Sequence, residues 1–293
     1  MEIFNIQRLK LTSEQENFVP KNILSIDIGQ TLTKFAYVDN NELLLVVKPT
    51  ALTIDETIDI MLKQKFNRIH FTGGRAFNIF KKYSEKYKSI LLDEFKANVK
   101  GIDFLYNLKK KQEDSAVLIV SIGTGTSVIL KHKSFEHLGG SAMGGGMFMG
   151  LIKLLYNLED YNTIIQLATK GNRYNVDLKV SDIYIEDDSR VEDYFRAFTA
   201  ASLGKINDER FNSPLPKEDI IHSILCIIGE NIGMLATLFA ELHKVSNIIF
   251  CGGLLRNNKI LKNLLKLMTK SRNKSAIFLK NSEFAGAIGA LIS

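Results

Sequence analysis

The sequence predicts an α/β fold in which one supersecondary unit occurs twice. Three observations lead there. Short apolar strands alternate with helical patterns along most of the chain, as in layered α/β domains. The stretches "SIDIGQTLTKFAYV" (25–38) and "IVSIGTGTSVILKH" (119–132) share one plan: an apolar strand, a Gly two residues after a small polar or acidic one, a Thr-bearing turn and a second strand. They lie about 95 residues apart, too long a period for a solenoid and suited to a duplicated unit. Finally, "RIHFTGG" (68–74) and "NIIFCGG" (247–253) each read as a strand ending in two glycines.

The elements follow in order. Residues 1–21 are polar, end at Pro20 and read as a loose extension. "ILSIDI" (23–28), "KFAYVD" (34–39) and "LLLVVK" (43–48) are separated by turn residues and read as a meander. Residues 53–66 have helical spacing through Ile54, Ile58, Met61 and Leu62. The strand at 68–74 follows, then one or two helices to about Leu108. The basic run 107–114 reads as a solvated loop, and the halves divide there, into 22–114 and 115–293. The second half opens with strand, turn and strand (115–133) and continues with helices at 146–157 and 160–170. A long helix at 217–243 carries Ile220, Ile224, Ile227, Ile228, Leu235, Leu238 and Leu242 on its apolar stripe. The strand 247–253, a helix at 256–270, a strand at 276–280 and the small-residue helix "EFAGAIGALIS" complete it.

Composition narrows the function. The chain has 293 residues, 45 % of them hydrophobic, enough for two cores. The net charge of +6 is spread along the chain, which suits anionic small molecules and does not point to nucleic acid. Cys226 and Cys251 lie in apolar runs and read as buried thiols, so a reducing, cytoplasmic compartment is expected and no disulfide framework. No stretch reads as a membrane span. The N-terminus lacks a secretory apolar core and carries three Glu, unlike a transit peptide.

The Gly- and Thr-rich turns point to phosphate. Such turns let backbone N–H groups and hydroxyls approach an anion with no Cβ in the way. Two of them face to face would grip a polyphosphate from both sides. Asp27 cannot bind phosphate itself, but it can hold Mg²⁺ through water, since that ion keeps several waters and takes few carboxylates. Lys34 can reach a transferring phosphoryl oxygen. A turn Asp bonding its own backbone and a solvated strand Lys are the plain alternatives. The second Gly-Thr turn and the glycines at 252–253 favour phosphate. Gly144, Gly145 and Gly146 run into a helix, whose N-terminus attracts anions. There is no Walker A lysine signature.

Taken together, "SIDIGQTLTK", "FTGGRAF", "LLDEFKANVKG", "VSIGTGTSVIL", "GGSAMGGGMFMGL", "GNRYNVDLKVSDIY", "FCGGLLRNN" and "FAGAIGAL" resemble the type II (eukaryotic-like) pantothenate kinases. That family belongs to the actin, sugar-kinase and Hsp70 superfamily, and the likeness runs from about residue 22 to 293. The run at 171–184 is specific to the family within the superfamily. The resemblance implies duplicated actin-like ATPase (ribonuclease H-like) domains. It also implies ATP and Mg²⁺ as cofactors, pantothenate as substrate, coenzyme A or an acyl-CoA as feedback inhibitor, and a homodimer. Its ATP loop falls on Asp27, Gly29, Thr31 and Lys34, and its second phosphate loop on Gly123, Thr124, Gly125 and Ser127. Its glycine triplet falls on Gly144, Gly145 and Gly146. Tyr161 and Gly253 match nucleotide-side positions. Thr124, Thr126 and Ser127 match the pocket for pantothenate and acyl-CoA.

The catalytic carboxylate of the family falls on Glu94, and chemistry supports the choice. A primary alcohol loses a proton as it attacks the γ-phosphate, and a carboxylate is the usual acceptor. Two positions depart from the family. Gln30 replaces its second loop glycine. His137 stands seven residues before the triplet, where relatives have an Arg thought to hold substrate. An imidazole lacks the fixed charge and fork of a guanidinium, so Lys133 or Arg173 are other candidate sources of positive charge. Another small-molecule kinase of the same fold, and a catalytically weak member serving as a regulatory subunit or CoA sensor, remain alternatives to the kinase reading.

Overall fold

Residues Ile23–Ile28 are buried at all six positions, as in a central strand covered on both faces. A computed structural model describes residues 6–50, 54–63, 66–107, 116–209 and 215–293. Its first half holds β1 (Ile6–Lys10), α1 (Ser13–Phe18), β2 (Ile23–Ile28), β3 (Leu32–Asp39), β4 (Glu42–Pro49), α2 (Ile54–Leu62), β5 (Arg68–Thr72), α3 (Ala76–Ser84), β6 (Ser89–Leu91) and α4 (Glu94–Asn107). The second half begins with β7 (Val117–Ile122), β8 (Thr126–Lys131), β9 (Phe135–Ser141), α5 (Gly145–Tyr156) and α6 (Tyr161–Lys170). Next come β10 (Leu178–Lys179), α7 (Val180–Ile183), α8 (Asp193–Arg196), β11 (Thr199–Ala201) and α9 (Lys217–Leu242). β12 (Asn247–Cys251), α10 (Lys259–Ser271), β13 (Ser275–Phe278) and α11 (Ala285–Leu291) close the chain.

The duplication is visible in the strand order. The first sheet runs β1-β4-β3-β2-β5-β6 and the second β13-β12-β7-β8-β9. Apart from β1, the two have the same plan: a three-stranded antiparallel meander with two parallel strands added beside its first strand. This is the expected duplicated actin-like architecture. The layers follow from the cores. The outer face of the first sheet packs on α2 and α3 through Ile58, Met61, Phe71 and Tyr83. The second sheet packs outward on α5, α6, α9 and α10. Between the sheets lie α4 and α11, joining Ala36 and Leu45 to Ile119, Ile129 and Ile249.

Some expectations change. The extension expected to be loose supplies β1, an edge strand paired antiparallel to β4, because Leu9 can pack against the core between the sheets. β6 and β9 are strands that the apolar pattern does not mark; both lie at sheet edges, β6 is only three residues long and β9 has little apolar content. α9 departs from the expectation that no stretch reads as a membrane span. It is long and apolar enough to span a membrane by length and composition, yet 61 % of its apolar window is buried inside the protein, where it forms the spine of the second core. Its expected stripe is also offset. Ile224 and Ile228 are buried with Ile232 and Ala236, while Leu238 (51 %) and Leu242 (72 %) are exposed beside Met234. Cys226 and Cys251 are free and buried, and burial pushes both thiols up to about 12. Residues 108–115, which hold most of the basic run and the division between the halves, lie outside the described residues.

Candidate active site

Asp27 is the penultimate residue of β2, and Lys34 is its register partner on β3. The Lys34 ammonium donates to Asp27 Oδ2 at 3.0 Å, with 16 % and 11 % of the two side chains exposed. The turn between them is braced from β4. Gly29 N–H donates to Leu32 O, Thr50 N–H to Thr31 O, and the Thr50 hydroxyl to Gly29 O at 3.0 Å. The turn of the second half folds alike, with Gly123 N–H donating to Gly125 O at 2.8 Å. The two turns meet: Thr31 Oγ1 and Thr124 Oγ1 share a hydrogen bond of 3.0 Å across the cleft. Gly253 joins them, since a Cβ there would stand 3.5 Å from the Leu32 side chain. Gln30 is exposed at the turn.

The glycine triplet works differently from a bare helix end. Gly145 and Gly146 donate their N–H groups to Gly123 O (2.7 Å) and Thr124 O (2.9 Å), so these donors position the second turn and are not free for a ligand. A Cβ on Gly144 would lie 2.6 Å from Thr124 O, and one on Gly146 2.6 Å from Thr124 Cγ2. Thr126 is buried and donates to Met143 O at 2.8 Å, so it too holds the turn. Ser127 is half-buried opposite Gly140. Tyr161 shares its hydroxyl proton between Leu254 O (2.7 Å) and Arg256 O (3.0 Å), fixing the loop after β12, and burial raises its pKa. That loop borders a cavity of about 330 Å³ at the carboxyl ends of the parallel strands β12 and β13, walled by Arg256, Asn257, Lys280 and Glu283 and faced by Gln7 and Val47. Such crevices are where α/β sheets bind ligands.

Glu94 is the first residue of α4. Its side chain is open to solvent, yet protein crowds it on enough sides that lost hydration raises its pKa above the ordinary carboxylate value. The Asp27 charge adds to the rise, and Lys34 opposes it. Two glycines with no role expected from the sequence separate the carboxylates. A Cβ on Gly73 would stand 2.6 Å from Asp27 Oδ1, and one on Gly74 would stand 3.7 Å from Glu94 Oε2. Gly73 also has φ +97°, which only glycine adopts freely. Gly286 marks a third close approach, since a Cβ there would stand 2.8 Å from Asp27 Oδ2. The signal for all three is the small-residue context of "FTGG" and "FAGAIG".

A sequence profile described as Fumble matches residues 50–293. The chain belongs to the Fumble family. A type II pantothenate kinase of Bacillus anthracis is 34 % identical over 276 residues, covering 93 % of this chain and 97 % of that one. One of Oceanobacillus iheyensis is 34 % identical over 271 residues, with 92 % and 98 % covered. In fold, the chain resembles the activator of the 2-hydroxyisocaproyl-CoA dehydratase of Clostridium difficile, solved with bound ADPNP (TM-score 0.57, 17 % identity, 92 % of both chains). It also resembles the ROK hexokinase of Thermus thermophilus (TM-score 0.51, 12 % identity, 92 % and 96 % covered).

Within this Fumble chain, Arg173 and Asp177 of the run at 171–184 form a buried anchor on α9. Arg173 donates to Asp177 at 2.6 Å and to both oxygens of Glu230 at 2.6 and 3.2 Å. Asp177 in turn accepts from Leu203 N–H and the Ser223 hydroxyl. Arg173 is therefore occupied and unavailable as a ligand cation. Lys133 sits at the exposed β8–β9 turn. His137, on β9, stacks on Phe95 with ring centroids 4.1 Å apart and planes at 20°. It thereby clasps the residue next to Glu94 across the two halves.

Proposed function

We propose that this chain is an ATP-dependent pantothenate kinase, making 4′-phosphopantothenate in the first step of coenzyme A synthesis. The observation that carries the reading is Glu94, a solvent-open carboxylate of raised pKa beside the Asp27–Lys34 pair, with the facing hydroxyl turns close by in the same cleft. The relatives named type II pantothenate kinase support the substrate. The γ- and β-phosphates lie between the turns bearing Gly29, Thr31, Thr124 and Gly125. The base lies towards Gly253, Arg256 and the 330 Å³ cavity. Glu94 takes the proton of the primary hydroxyl as its oxygen bonds to the γ-phosphorus. The bond from that phosphorus to the bridging oxygen breaks, and ADP leaves with the electron pair. Lys34 stabilises the transferring oxygens.

Asp27, at the base of the cleft beside Lys34, fits Mg²⁺, which takes few protein ligands and keeps its waters. Asp27 would hold it through water, and the ion would supply charge neutralisation at the phosphates. Coenzyme A or an acyl-CoA competes for the same turns, since both ligands are polyanions and the chain is basic. Two buried free thiols support a reducing, cytoplasmic setting. The exposed stripe of Met234, Leu238 and Leu242 supports a homodimer. Light scattering should then give twice the 33.0 kDa chain mass, falling to the single mass when Leu238 and Leu242 become Glu.

ADP release coupled to NADH oxidation tests the activity. Release is expected only with pantothenate and Mg²⁺ both present, and excess acetyl-CoA should raise the apparent KM for ATP. Folded protein without pantothenate-dependent ADP would instead indicate a non-catalytic or sensing member. Release with a sugar but not pantothenate would indicate another kinase of this fold.

A further inference from the structure

Lys and Arg occur throughout the chain, but one stretch holds them without any acid. From Arg256 to Lys280 there are eight Lys and Arg and no Asp or Glu, against a net charge of +6 for the whole chain. Arg256, Lys262 and Lys280 turn to the cavity of about 330 Å³, where an anionic ligand answers them. Lys259, Lys266, Lys270 and Lys274 are not among its walls, and no group of the candidate site calls for them.

These four lie on α10 and the turn after it. α10 rests on the second core with Leu261 and Leu265 fully buried. Lys259, Lys266 and Lys270 are exposed on the opposite side, since intervals of seven and four residues return to one face of a helix. At about 1.5 Å per residue the three span about 16 Å. Little neutralises this face. Arg272 stands 3.5 Å from Glu241, and the Lys266 ammonium lies 5.7 Å from the centre of the Phe278 ring. Among the described residues no carboxylate pairs with Lys259 or Lys270. Lys262, Lys266 and Lys270 follow one another at intervals of four residues, where like charges oppose a helix. Folding alone therefore gives no reason for them.

Such a surface fits a polyanion, and three features favour lipid headgroups. Six of the eight cations are Lys, a compact charge on a flexible stem that follows a mobile charged surface, whereas nucleic-acid phosphates favour the Arg fork. The one aromatic ring of the stretch, Phe278, is half-buried beneath Lys266, so none is free to stack on a base. Leu267 is 56 % exposed next to Lys266, an apolar side chain that gains by entering the boundary of a bilayer. Clusters of about four to eight Lys and Arg bind anionic membranes in this way.

We propose that the outer face of α10 docks the protein on a bilayer surface bearing anionic headgroups, with Leu267 entering the headgroup layer. The docking does not depend on the kinase reading. It is tested by sedimenting the full chain with vesicles of phosphatidylcholine alone and of phosphatidylcholine mixed with phosphatidylglycerol. Wild type should bind only the mixed vesicles, and less as added salt screens the charges. Lys270→Gln should lower the partition coefficient about fivefold, the attraction of one cation near an anionic surface. Lys259→Gln, Lys266→Gln and Lys270→Gln together should lower it on the order of 10²-fold. These variants should melt no lower than wild type, since they relieve like-charge repulsion along the helix. Leu267→Ser should weaken binding severalfold and keep the salt dependence. The proposal is overturned if wild type does not bind the mixed vesicles, or if the Lys270→Gln and triple variants bind them as wild type does. It is also overturned if Leu267→Ser binds unchanged, or if duplex DNA at equal phosphate concentration binds more tightly than the vesicles, which would assign the face to nucleic acid.

Discussion

Glu94→Gln is expected to lower kcat by on the order of 10²–10⁴, the usual contribution of a positioned general base, while ATP binding stays near the wild-type value. The amide keeps the shape of the side chain and removes only its ability to take a proton. The pH profile carries the sharper signature. Crowding and the Asp27 charge raise the Glu94 pKa, so the acid limb of wild-type kcat/KM should lie above the ~4.3 of an ordinary Glu. Activity falls as pH falls through that limb, and Glu94→Gln should abolish it. Stability moves the opposite way. A carboxyl whose folded pKa is raised favours folding fully below its unfolded pKa and loses that support as pH rises. At pH 7 the ionised Glu94 therefore weighs against the fold, and the Gln variant should melt no lower than wild type. Near pH 4 the difference should vanish. Wild-type kcat in the variant, or a clearly lower melting temperature at pH 7, would mean that Glu94 is a structural residue.

What the sequence discloses follows from which signals are local. β2 and β7 are mostly apolar strands ending in Gly turns, so both phosphate turns and their repetition are legible along the chain itself. Strand order is not local. That β5 and β12 each lie parallel beside the first strand of their meander depends on crossover helices, whose patterns fix no partner. β9 escapes notice because "FEHLGGS" is an edge strand that packs little. Of the candidate site, Asp27 and Lys34 are legible as chemistry in their Gly-Thr turn, and Glu94 is legible through the family resemblance. The Gly73–Gly74 step between the two carboxylates is not, because it exists only once α4 is docked. The glycine triplet shows the same limit. Its composition announces a helix N-terminus, but only the fold reveals that Gly123 and Thr124 take its N–H groups.

Gly289→Ala and Gly101→Ala should be the most damaging small substitutions in the chain. α4 and α11 cross between the sheets with their backbones in contact. A Cβ on Gly289 would fall 1.7 Å from Ala97 O, and one on Gly101 1.9 Å from Ala285 O. Neither obstacle is a side chain that can swing away, so the helices must separate. Overpacking of this kind costs about 1–3 kcal/mol and sometimes more. At roughly 2–4 °C per kcal/mol for a chain of a couple of hundred residues, the melting temperature should fall by several degrees. Activity should fall further than stability explains. α4 carries Glu94 at its first turn, and α11 presses Gly286 against Asp27 Oδ2. The Ser25 hydroxyl donates to Ala287 O at 2.7 Å, and His70 Nδ1 lies 2.6 Å from Ala290 O. α11 is thus fixed to the first sheet, and it is α4 that must yield. Glu94 then shifts relative to Asp27, and a displacement of about 1 Å at reacting groups can cost on the order of 10² in rate. Gly150→Ala is the control. It lies in α5 with open space where its Cβ would go, so it should gain up to ~1 kcal/mol from helix propensity and leave kcat alone. Thermal unfolding and kcat measured on the three variants decide the matter. If Gly289→Ala melts and turns over like wild type, the α4–α11 contact does not set the distance between the two carboxylates.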